Sequence, residues 1–114
     1  MTVNGVELKF SMFNPDHVQE YHDAEKALGK SYETATKKKY KDDVDGYIQA
    51  LRDACGVVFD FFDNAFGEGT ANRVFGPDTD LEVCTEAFEE IRIQMELQAE
   101  KMGNKLARYS EPTK

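Results

Sequence analysis

The residue types most suited to chemistry are two pairs of carboxylates. Asp60-Phe61-Phe62-Asp63 and Glu86-Ala87-Phe88-Glu89 each place two acids one helical turn apart, with residues 64–85 between the pairs. On a helical wheel Asp60 and Asp63 lie about 150° and 90° from the main apolar stripe of their helix, and Glu86 and Glu89 about 180° and 120° from theirs. Acids that point away from the contact faces do not easily converge between helices. His17 and His22 fall about 140° apart around a helix, so they cannot share a metal, and structural roles are expected for both. Cys55 and Cys84 lie on apolar stripes without CxxC spacing, which reads as buried, reduced and inert. Walker, GxSxG and HExxH motifs are absent. Gly67-Glu68-Gly69 is too short for a nucleotide loop, and Asp78-Thr79-Asp80-Leu81-Glu82 lacks the glycine and distant glutamate of a calcium loop. No catalytic, cofactor-binding or metal site is expected.

The elements that must position these residues are mainly helical. Val6, Leu8, Phe10 and Met12 alternate with polar residues, and Asn4-Gly5 is a two-residue hairpin signal, so residues 1–13 read as a β-hairpin whose apolar face needs a helix or another chain. Asn14 and Pro15 open a helix over 14–39, with Phe13 placed to staple onto Val18. Tyr21, Ala24, Leu28, Tyr32 and Ala35 form its apolar face, and Gly29 either costs it about 1 kcal/mol or breaks it. A central helix over 42–66 carries the stripe Val44, Ile48, Leu51, Cys55, Val58, Phe62 and Phe66, and a second stripe of Tyr47, Ala54 and Phe61. Gly67 ends it, Thr70 caps a short helix over 70–75, and Thr79 with Glu82 begins a helix over 79–107. That last helix carries Leu81, Cys84, Phe88, Ile91, Met95, Met102 and Leu106, and residues 109–114 read as a frayed tail. The expectation is one domain over 1–108, a mainly α bundle of three main helices and a short one, with a small N-terminal β-hairpin.

Charge narrows the partners. The net charge is −8; residues 1–30 and 31–66 each sum to −2 and residues 67–114 to −4, so no third of the chain has the basic balance that binds nucleic acid. Lys37-Lys38-Lys39-Tyr40-Lys41 reads as a solvated helix end, since the last turn of a helix favours cations. No apolar run spans a bilayer and no signal peptide opens the chain, so neither a membrane nor secretion is expected. What remains is a surface anomaly. Ile93 and Leu97 lie nearly opposite the core stripe of their helix, and Phe61 falls on a second face of the central one. A third packing layer explains such residues, and so does a protein-binding or self-association face.

Two resemblances bear on function. The paired acids are similar to the ExxE…ExxD arrangement of all-α nucleotide pyrophosphatases, which implies magnesium held against a triphosphate. The departures are Asp in the first pair and Glu at the last position. The stretch Phe61-Phe62-Asp63-Asn64-Ala65-Phe66-Gly67-Glu68-Gly69-Thr70, then Val74-Phe75-Gly76 and Cys84-Thr85-Glu86-Ala87-Phe88, resembles a family of small acidic proteins from tail modules of phages and prophages of Gram-positive bacteria. The similarity covers most of the chain and is sharpest over residues 59–91. It implies a non-enzymatic role in tail morphogenesis: a tail assembly chaperone in the host cytoplasm that coats the tape measure protein. A virion component such as a head–tail connector is the alternative. No binding residues carry over, so the expected protein-binding residues, Phe61, Ile93 and Leu97, come from the surface reading alone.

Overall fold

A computed structural model describes residues 1–77 and 79–110, the side chains of Tyr109 and Ser110 excepted. Two strands, β1 (Thr2–Val3) and β2 (Val6–Glu7), precede four helices: α1 (Pro15–Lys37), α2 (Val44–Phe66), α3 (Thr70–Phe75) and α4 (Leu81–Ser110). The mainly α class with a small N-terminal hairpin is what the sequence predicts.

The hairpin turns at Asn4 (φ 50°) and Gly5 (φ 76°), the positive-φ pair that a two-residue turn requires. Thr2 pairs with Glu7 and Val3 with Val6. The strand reading of 1–13 is too long. β1 offers two residues, so the ladder closes where the Leu8 N–H donates to the Met1 carbonyl, and residues 9–13 lie outside it. The apolar alternation still works, because Val3 and Leu8 are buried in the core and Phe10 packs tilted against Tyr21 and edge-on to Phe66. The sheet packs on helices: Gln94 Nε2 donates to the Thr2 carbonyl and Asn4 Nδ2 to the Val74 carbonyl.

α1 starts as its cap predicts, with Asn14 Oδ1 accepting the Asp16 and His17 N–H groups. It runs unbroken through Gly29 and stops two residues short of the expected Lys39. Phe13, just before the cap, is 48% exposed, with the Lys105 ammonium 5.2 Å from its ring centre. α2 begins after Asp43, whose carboxylate accepts the Gly46 N–H at 2.8 Å. Gly46 is required here: a Cβ would sit 1.8 Å from the Lys41 carbonyl oxygen, where the incoming loop folds onto the helix.

Two predicted caps shift. Gly69 (φ 89°), not Thr70, takes the cap position of α3. Thr70 is fully buried and its hydroxyl donates to the Gly67 carbonyl, while the Ala71 N–H is accepted by Asp63 at 2.8 Å. For α4 the cap is Asp80 rather than Thr79: its Oδ1 accepts the N–H groups of Glu82 and Val83, two orphan amides on one charged oxygen. α4 continues helical to Ser110, past the expected end at 107; residues 111–114 of the expected tail lie outside the described residues.

α2 is the central element, contacted by α1, α3 and α4. Its aromatic end forms the core. Phe62 meets Phe75 with ring centres 5.0 Å apart and Phe66 at 6.0 Å, and Phe61 meets Phe88 at 5.2 Å. Val44 and Ile48, the first members of the α2 stripe, are 73% and 41% exposed, because this end of α2 has too few neighbours to cover it. The molecule is elongated: its radius of gyration is 17.3 Å, against about 13 Å for a compact chain of this length.

Candidate functional site

Of the three residues expected on a binding face, one is misplaced. Phe61 is 1% exposed, ringed by Tyr21, Phe62, Phe66 and Phe88, so it belongs to the core. Its second stripe on α2 exists because α1 packs there, bringing Tyr21 edge-on to the Phe61 ring. Ile93 and Leu97 stand 48% and 60% exposed on α4. Glu86, Glu89, Glu96 and Glu100 are exposed on the same helix. Arg92 bridges Glu89 and Glu96 along it; its hydrogen bond holds the Glu89 carboxyl below the usual range and raises the Arg92 guanidinium.

The paired acids do not assemble into one site. Asp63 is spent on the α3 cap. Asp60 lines a groove between α1 and α2, and Glu89 is tied to Arg92. Among the described residues no three His, Cys, Asp or Glu side chains are grouped to hold a metal ion. His17 accepts the Ser11 N–H on Nδ1 and stacks on Phe10. Cys55 and Cys84 are free thiols, 1% and 0% exposed, that meet across the α2–α4 contact. Burial, then the hydrogen bond with Cys55, pushes the Cys84 thiol up to about 12, which keeps it protonated and unreactive.

The basic run behaves as a helix end. Lys38 pairs with Asp53 at 2.8 Å, Tyr40 donates to the same carboxylate at 2.7 Å, and Gln49 donates to its other oxygen. Lys38, then Tyr40 and Gln49, hold the Asp53 carboxyl down at about 2. This cluster ties the α1–α2 loop to α2.

The feature that the sequence reading missed is a seam between α1 and α4. A cavity of about 580 Å³ is floored by Leu28, Val58 and Phe88, with Tyr32 and Gly29 on the α1 wall and Glu89 on the α4 wall. A second, of about 430 Å³, is lined by Phe10, Val18, Tyr21, Met95 and Ala99, with His22, Arg92 and Glu96 at its edges. Glu25 lines both, so the two are neighbours along the line between α1 and α4. From Tyr32 and Thr85 at one end to Val18 and Ala99 at the other, the helices pass antiparallel without closing. The run Thr85 to Ala99 spans about 21 Å at about 1.5 Å per residue. Tyr21 sits at the floor, and burial, then Glu25, pushes its phenol up to about 12, so it stays neutral. Spacing places Leu28 and Tyr32 on the apolar face of α1; Leu28 packs half-buried against the core, whereas Tyr32 is 67% exposed at the mouth of the seam.

Among the described residues no helix is long and apolar enough to cross a membrane. No curated protein and no solved structure matches the chain. Residues 4–114 match a family model, a span that takes in the hairpin turn, β2, the aromatic core and the seam: the chain belongs to DUF6673, a family of unknown function.

Proposed function

We propose that this protein is a non-enzymatic phage tail morphogenesis factor, a tail assembly chaperone that holds the tape measure protein in the host cytoplasm. The observation that carries a protein-binding role is the pair Ile93 and Leu97, large apolar side chains left exposed among the glutamates of α4. An apolar strip in an acidic surround binds a partner's apolar ridge while the net charge of −8 keeps the carrier from aggregating. The assignment to tails rests on the resemblance over residues 59–91. The separate placements of Asp60, Asp63, Glu86 and Glu89 weigh against the nucleotide pyrophosphatase reading.

The test is co-expression with a tape-measure-like protein encoded nearby. Stoichiometric capture that keeps the partner in solution, lost in the double variant Ile93→Asp with Leu97→Asp, is the expected result. Because both side chains are exposed, the variant keeps its helical circular dichroism. Capture that persists in the double variant removes the strip from the mechanism. Absence of capture, together with the chain's presence in mature particles, makes it a virion component such as a head–tail connector.

A further inference from the structure

We infer that the α1–α4 seam is a docking groove for a basic amphipathic helix of the partner, a second contact surface distinct from the Ile93–Leu97 strip. The inference rests on the partner-binding reading above and names the chemistry of what is bound. Three independent features point to this occupant. The floor is apolar and partly open, with Leu28, Val58, Phe88 and Met95 all half-buried, which is the surface an amphipathic helix covers. The rim is acidic: Glu25, Glu89 and Glu96 face the opening, and its one arginine, Arg92, is already held between Glu89 and Glu96. An incoming ridge flanked by lysines or arginines is therefore favoured and an acidic one repelled.

The third feature is Gly29. Glycine destabilises a helix interior relative to alanine, and a Cβ built at Gly29 meets nothing within 4 Å, so no packing within the chain requires it. It leaves the α1 wall of the larger cavity without a side chain between Leu28 and Tyr32. Small residues of this kind let a second backbone approach closely.

The probe is a synthetic peptide of about 18 residues, leucine and lysine in helical register, long enough to fill the roughly 21 Å seam. Its control replaces every lysine with glutamate. Fluorescence anisotropy on the full chain is expected to show binding of the basic peptide and none of the acidic one. Gly29→Leu fills the groove with a good helix former, and it should weaken binding about tenfold or more while the melting temperature holds or rises. Glu25→Lys should weaken it also and flatten its salt dependence. Ile93→Asp with Leu97→Asp should leave peptide binding intact, which separates the groove from the strip. Unchanged binding in Gly29→Leu overturns the inference, as does equal binding of the acidic peptide. A dimeric wild type that Gly29→Leu turns monomeric, without peptide binding, gives the groove to a second copy and also overturns it. If the tape measure is not captured but the peptide still binds through the seam, the chaperone reading fails and the groove stands.

Discussion

The aromatic end of α2 and the α1–α4 seam are built from the same kinds of residue, yet one is closed and the other open. At the closed end Phe61, Phe62, Phe75, Cys55 and Cys84 are all below 10% exposed. In the seam Tyr21, Leu28, Val58 and Phe88 remain half-buried and Tyr32 is exposed. The difference is the corner between α2 and α4. Gly67 (φ 109°) and Gly69 (φ 89°) reverse the chain, so α3 drops Phe75 onto Phe62, buries Val74 and seals that side. Among the described residues no helix is inserted between α1 and α4, and only Phe10 and Met12 reach in at one end, so a gap remains. Closure here depends on a connecting element, not on hydrophobicity.

The comparison breaks most sharply at Phe62. Its ring is fully buried against Phe61, Phe66 and Phe75. Phe62→Ala should cost about 3–5 kcal/mol, a large part of the stability of a domain this size. Urea titration should show the midpoint fall steeply or the fold lost. A midpoint close to wild type would mean that the aromatic end is no better packed than the seam.

Next in size is Gly46. Alanine there puts a methyl 1.8 Å from the Lys41 carbonyl oxygen, so the loop must move. We expect Gly46→Ala to destabilise by about 1–3 kcal/mol, as overpacking does. A melting temperature at or above wild type would show that the loop yields freely.

The corner itself is tested by Asp63. Its carboxylate accepts the Ala71 N–H and so fixes the first turn of α3 against α2. Asp63→Ala should cost about 1 kcal/mol, the usual worth of a helix cap. Asp63→Asn keeps the acceptor oxygen and should restore most of it. If both variants lose the same amount, charge and not the cap is what the site needs.

How far the sequence reveals this depends on whether a feature is local. The Asn4-Gly5 turn, the Asn14 cap and the Gly67 stop are set by residues a few positions apart, and all appear where the sequence places them. The caps at Asp80 and Gly69 were missed by one residue, because Thr79 and Thr70 are adequate competitors and only three-dimensional placement chooses between them. Asp63 was read as half of an acid pair. Its actual partner, Ala71, is eight residues away across a corner, and no helical period reports that. Periodicity marked Phe61, Tyr32 and Leu28 as apolar-face residues alike. It could not say that Tyr21 of α1 and Phe88 of α4 would enclose the first while Leu28 stayed half-buried and Tyr32 exposed. Ile93 and Leu97 were legible because a second apolar face on one helix is itself a periodic signal.

The smallest expected effect has the opposite sign to the others. Gly29 lies mid-helix in α1 and Gly46 in the first turn of α2, but a Cβ at Gly29 meets open space instead of a carbonyl. Gly29→Ala therefore removes only the entropic penalty of glycine and should stabilise by about 0.5–1 kcal/mol. For a domain near 100 residues that is a rise of a few degrees in melting temperature. Taken with Gly46→Ala, the pair gives one substitution and two directions, decided by what lies beside each helix. A fall in melting temperature for Gly29→Ala would mean that α1 already lies against a neighbour at that point, and that the seam is narrower than its cavity of about 580 Å³.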